Sequence, residues 1–162
     1  MNLQILIALL LALVPGSESR GSVFVLVEYF LRTGNNITYW IILAVLLNFM
    51  AVPIVFFFMD YLHEHLMKIR IYKKVIDKYI EIIRRKSDKF EEKFEVWGYV
   101  FLILFVGLPF TGSGAFTTSF IVWLLEWDRK KSFVAICLGV LIATVFSLLA
   151  AFGFFSGMSF IF

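Results

Sequence analysis

Glu18 and Arg20 stand in a short polar run, PGSESRGS, between two apolar stretches, Ile5 to Val14 and Val23 to Leu31. At the middle of a bilayer each charge costs about 2.5–3.5 kcal/mol, so such residues face a partner or water. The end of the preceding helical stretch offers partial negative charge to Arg20, and the start of the following one offers partial positive charge to Glu18. Two roles follow. Either the pair caps helix ends and neutralises itself, or Glu18 takes up and releases a proton or cation in a cavity while Arg20 holds an anionic group or tunes the glutamate.

Other residues join this pair as candidates. Asn48 lies at the midpoint of an apolar stretch, and Pro53, lacking an amide hydrogen, frees the carbonyl of Phe49. Asn48 serves either the same cavity or an interhelical hydrogen bond. A second break, Pro109, Phe110, Thr111, Gly112, Ser113, Gly114, presents hydroxyls and close-approach glycines beside a half-helix start, a combination that is a tight turn or binds an anion or carboxylate. Glu28, nearer a hairpin end, snorkels to the surface. His63 and His65 make a weak metal pair, with no nearby cysteine and no helical i, i+4 spacing, so no metal is expected. The single cysteine, Cys137, excludes an intrachain disulfide. With no nucleotide loop and no carboxylate pair at catalytic spacing, neither enzyme activity nor a cofactor is expected.

The elements that must position these residues are set by composition. Of 162 residues, 61% are hydrophobic and 17% charged, against about 25% charged in ordinary soluble domains, and the mean hydropathy is +0.91. The charges concentrate in 60–95 and 126–131, leaving 1–59 and the rest of 97–162 almost free of them. Lipid is the solvent such regions need, and the chain reads as an all-α integral membrane protein.

A hydrocarbon core of about 30 Å takes about 20 helical residues. Ile37 to Met59 and Ser132 to Phe155 pass that test without a charge. The remaining apolar pieces, of ten or so residues, reach about halfway and are broken by Pro, Gly and Ser. Read as four full spans, the basic loop 126–131 faces the side opposite the basic block 60–96. Read as two re-entrant hairpins, both basic regions fall on the cytoplasmic side, as positive charge prefers. The hairpin reading gives a first repeat over 1–62 (hairpin 3–31, transmembrane helix 37–59), a linker over 63–95 and a second repeat over 96–162 (hairpin 97–125, transmembrane helix 132–155).

Pro15 and Pro109 head the two turns at the same offset that relates Leu31 and Leu125, where the hairpins end. The two units enter from opposite faces, an inverted repeat with broken helices. The termini are then external in a multi-pass cell-membrane protein. A signal peptide over Met1 to Ser19 is the competing reading; it lacks a basic n-region and would orphan the second half-helix.

The linker, His63 to Trp97, spaces apolar residues three to four apart among charges, an amphipathic helix expected at the cytoplasmic interface beside anionic lipids, with an interruption near Ser87. A net charge of +3 placed there points to a membrane surface and not to nucleic acid. Gly139, Ala143, Ser147 and Ala151 recur every four residues and make a face for close packing, within the chain or across a homodimer.

With these motifs assembled, ESRGS followed by Val23 resembles the ELRGAIP signature of the small multidrug export protein family. PFTGSGAFTTSFIVWLLEWDRKKSF resembles its second signature, PGTGAW followed by a basic loop. The resemblance extends over essentially the whole chain, and the family is similar to the DedA superfamily, whose members share paired re-entrant hairpins each packed on a transmembrane helix. It implies functional weight for Glu18, Arg20 and Gly21, and for Pro109, Gly112, Ser113, Gly114 and Ala115. Ser19, Ser22 and Phe24 depart from the Leu, Ala and Pro usual in the family, which puts the packing of the first hairpin in question.

The leading expectation is an ion- or proton-coupled transporter exporting a small solute, its two hairpin turns meeting at a midplane site. Two spans enclose little volume, so a homodimer is expected. A phospholipid scramblase of DedA-like type and a non-transporting membrane scaffold are the alternatives.

Overall fold

An apolar chain in lipid must satisfy its backbone polar groups within itself, and helices do this segment by segment. The computed structural model describes residues 3–69, 92–108 and 114–158. Among them are six helices and no strand: α1 Leu3–Leu13, α2 Glu18–Thr33, α3 Thr38–Leu66, α4 Glu92–Gly107, α5 Ala115–Leu124 and α6 Arg129–Met158. Two are long and apolar enough to cross a membrane, Thr38–Leu66 and Arg129–Phe155. Their outer faces carry large apolar side chains such as Phe57, 76% exposed, and Leu149, 67% exposed. That surface suits hydrocarbon, not water.

The short helices differ from the expected boundaries in an instructive way. α2 starts at Glu18, so Glu18, Arg20 and Gly21 lie in the first turn of a helix; the connecting turn is only Val14 to Ser17, Pro15 included. Serine and glycine do not break the helix here because Ser19 and Ser22 are buried and the amide of Gly21 donates to the Ser17 carbonyl at 2.9 Å. Ser17 itself closes α1, its hydroxyl donating to the Leu11 carbonyl at 2.7 Å. The chain reverses through Gly16 at φ +96° and Glu18 at φ +46°, a left-handed conformation that glycine adopts freely and glutamate rarely.

α3 continues past Met59 to Leu66 and so takes in His63 and His65, which the linker was expected to hold. α4 begins at Glu92, ahead of Trp97. Most of the amphipathic linker, 70–91 with Ser87, lies outside the described residues. α6 opens at Asp128, whose carboxylate accepts the Lys131 amide at 2.8 Å. That bond holds the Asp128 carboxyl below the usual carboxylate range.

The packing exchanges partners between the halves. α1 and α2 lie along each other and both touch α3, whereas α4 packs along α6 and scarcely touches α5. The second helix of each pair packs on the long helix of the other half: α2 on α6, and α5 on α3. One core joins Val45 and Val52 of α3, Val106 of α4, Ala115 and Val122 of α5, and Ile136 and Val140 of α6. A second joins α1 and α2 with Ala151.

The small-residue face of α6 is used inside this packing. Gly139, Ala143, Ser147 and Ala151 are all buried. A β-carbon on Gly139 would stand 2.6 Å from the Val106 Cβ and 2.9 Å from the Ile103 carbonyl oxygen of α4. The face serves helix approach within the chain and leaves none of itself for a second copy.

Candidate functional site

Glu18 is 4% exposed. Its Oε2 accepts the Ala115 amide at 2.8 Å and its Oε1 the Phe116 amide at 3.2 Å. These are two of the amides that a helix start leaves unpaired, so the carboxylate caps the positive end of α5. Gly114, the residue before α5, makes the approach possible, since a β-carbon there would overlap the carboxylate. α2 and α5 do not pack side by side. They meet at their N-terminal ends, and Glu18, first residue of one, closes the other.

Arg20 answers with the opposite sign. Its Nη2 donates to the Val106 carbonyl at 2.6 Å, in the last turn of α4. The sequence expectation paired Arg20 with a helix C-terminus and Glu18 with a helix N-terminus; the signs hold, but the helix ends are those of the second half, 86 and 97 residues away. The two charges bind the halves to each other across the helix break.

Asn48 is fully buried, and both its amide atoms lack a hydrogen-bond partner. Ser22 and Thr118 are also 0% exposed with unpartnered hydroxyls. Ser22 lies one turn beyond Glu18 on the same face of α2, and Thr118 lies one turn beyond Ala115 on α5. Asn48 shares the face of α3 that carries Val45 and Val52, which pack in one cluster with Ala115 and Val122. Asn48 thus makes no interhelical hydrogen bond. Ser22 and Thr118 thus sit one turn along α2 and α5 from the Glu18–Ala115 contact, Asn48 lies on the face of α3 that enters the same core as Ala115, and buried polar groups left unpaired in this way are costly.

Other candidates fall elsewhere. Pro53 is exposed, so the carbonyl it frees lies towards the outer surface of α3. Gly21 packs tightly on Ser17, a β-carbon there standing 3.1 Å from the Ser17 Cβ. Pro109, Phe110, Thr111, Gly112 and Ser113 lie outside the described residues; of that stretch only Gly114 joins the site. Glu28 pairs with Arg32 at 2.6 Å near the open end of α2. A groove of roughly 600 Å³, lined by Phe30, Gly34, Ile41 and Phe152 among others, opens at the far end of α2, away from Glu18.

One cluster was not foreseen. At the opposite end of α3, Arg129 donates to Asp60 through Nη1 at 2.6 Å and Nη2 at 2.8 Å. The Trp123 indole donates to Asp60 Oδ1 at 2.8 Å. The Phe56 ring lies 5.7 Å below the guanidinium, and the His63 ring meets Trp123 edge to face. The available signal was the placement of Asp60 and Arg129 at ends of two spans that share one side in the hairpin reading.

Compared with known proteins, residues 18–146 match the family model described as "Putative small multi-drug export protein". No curated protein and no solved structure matches. The matched region begins at Glu18 and contains Arg20, Asn48, Gly114, Ala115 and the Asp60–Arg129 pair, and on that extent the chain belongs to the small multidrug export protein family.

Proposed function

We propose that the protein is a proton-coupled membrane transporter that exports a small solute, with Glu18 as the coupling group. The observation that carries this reading is the buried Glu18 carboxylate held by the first amides of α5. Protonation removes the charge that the helix end attracts and turns one oxygen into a donor facing N–H groups. The contact between the halves then loosens. Release of Glu18 lets the α2 and α5 starts separate, and the site changes the side to which it opens.

The topology in this reading is an inverted repeat of re-entrant helix pairs, α1–α2 and α4–α5, with the linker and 126–131 cytoplasmic and the termini external. The exchanged packing of α2 on α6 and α5 on α3 supports it, as does a length of about 15 Å for α5, half a bilayer. The basic linker rests on anionic lipids. Two copies assemble through outer faces of the spans, since the small-residue face is already used.

The test is flux in vesicles containing the purified protein and a pH-sensitive dye. Native protein should move protons and Glu18→Gln should abolish the flux by tenfold or more; unchanged flux in the variant removes Glu18 from the mechanism. A fluorescent-lipid assay in the same vesicles separates the alternatives. Lipid exposure without proton flux means a scramblase, and neither signal means a scaffold.

A further inference from the structure

The Glu18–Ala115 contact gathers several groups that attract negative charge. The starts of α2 and α5 meet there, and both present the positive end of a helix. Ser22 and Thr118, one turn along α2 and α5 from the contact, and Asn48, on the face of α3 that enters the same core as Ala115, carry three unpaired hydrogen-bond donors on fully buried side chains. Arg20 adds a cation two residues from Glu18. One carboxylate from the chain itself now fills the position, and it leaves the three neighbouring donors unused.

We propose that this is the binding site for the exported solute, that the solute bears a carboxylate, and that Glu18 occupies its place in the present state. This rests on the transport reading and names its substrate class. The incoming carboxylate accepts the Ala115 and Phe116 amides as Glu18 withdraws with a proton, so the charge of the site is unchanged. Ser22, Asn48 and Thr118 then donate to the ion or to the atoms next to it. Asn48 Oδ1 accepts from a hydroxyl or a water that accompanies it. Gly114 keeps the approach open to the incoming group as it does to Glu18.

The chain offers its own test. Glu18 has φ +46°, so Glu18→Gly suits the backbone while emptying the carboxylate position. Purified full-length Glu18→Gly in detergent should unfold several degrees below native protein. Sodium acetate should restore at least half of that loss with a saturable dependence, and should leave native protein unmoved. No restoration, or equal restoration by sodium chloride at the same ionic strength, overturns the site.

If Glu18→Gly does not fold, Asn48→Leu and Thr118→Val in the otherwise native chain decide the matter. Both remove unpaired buried groups and should fold at least as well as native protein. Proton flux driven by a gradient of gluconate, a carboxylate that does not cross bilayers, should fall at least tenfold in each. Absence of that flux in native protein, or flux unchanged in both variants, overturns the proposal. The two readings fail separately: acetate rescue without Glu18-dependent proton flux leaves the site and removes the coupling, and the reverse outcome leaves the coupling and removes the carboxylate.

Discussion

The Glu18 carboxylate occupies the space that a β-carbon on Gly114 would need, so an acid at the start of α2 and a glycine before α5 form one fitted contact between the halves. Gly114→Ala therefore expels the carboxylate without altering any charge. Overfilling of this kind costs about 1–3 kcal/mol, to be measured by chemical unfolding in detergent. Because Glu18→Gly vacates the same space, the double variant should be more stable than the sum of the two losses by about 1 kcal/mol or more. Additive losses would mean that the two residues do not meet.

Arg20 holds the last turn of α4 through the Val106 carbonyl. Arg20→Gln removes a charged donor from a part-buried acceptor, a loss of about 1.5–3 kcal/mol. Hydrogen exchange should quicken first in the final turn of α4, residues 104–107, while the outer turns of α6 stay protected. Uniform exchange throughout the chain would instead make Arg20 a general stabiliser.

The site was legible in the sequence by residue type more than by partner. Glu18 and Arg20 stood out because charge inside an apolar region needs a counterpart, and that reason survives in the structure. What no local pattern carries is which helix end supplies the counterpart, since every broken helix presents the same two polarities. The run ESRGS read as a turn because serine and glycine weaken helices, but burial of Ser19 and Ser22 outweighs that preference. The expected span 132–155 lies inside α6 and 37–59 overlaps α3 from Thr38 on, Ile37 being its N-cap; both helices run further, α3 through Asp60 to Leu66 and α6 back to Arg129, because the charged residues there continue the helical turn. Arg129 reads in the sequence only as part of the basic loop that orients the chain and Asp60 only as the edge of the charged block, so their contact across 69 residues is not legible there.

The close approach of α4 and α6 depends on Gly139. With a β-carbon there facing Val106 at 2.6 Å and the Ile103 carbonyl at 2.9 Å, the helices must separate or rotate. Gly139→Ala should cost about 1–3 kcal/mol, and Gly139→Val more. Because the face points inward, the mass of the detergent-solubilised particle should not change in the alanine variant. A shift from dimer to monomer with unaltered unfolding would place Gly139 between copies and contradict the packing.

Asp60 and Arg129 close the other end of the α3, α5 and α6 cluster, and their side chains are 40% and 54% exposed. Water therefore screens the pair, and a double-mutant cycle with Asp60→Asn and Arg129→Gln should give a coupling of about 0.5–1 kcal/mol. The coupling should shrink as salt is raised, since the Debye length falls from about 10 Å at 0.1 M to about 3 Å at 1 M. Trp123→Phe removes the indole donor to Asp60 and leaves the ion pair, so it should destabilise less than Asp60→Asn does. In the proposed transport cycle this end opens for a solute to leave the Glu18 site on that side. Asp60→Asn should then raise the rate of exchange at the α5 amides while Glu18 remains in place; protection of those amides unchanged from native would separate the Asp60–Arg129 pair from the site.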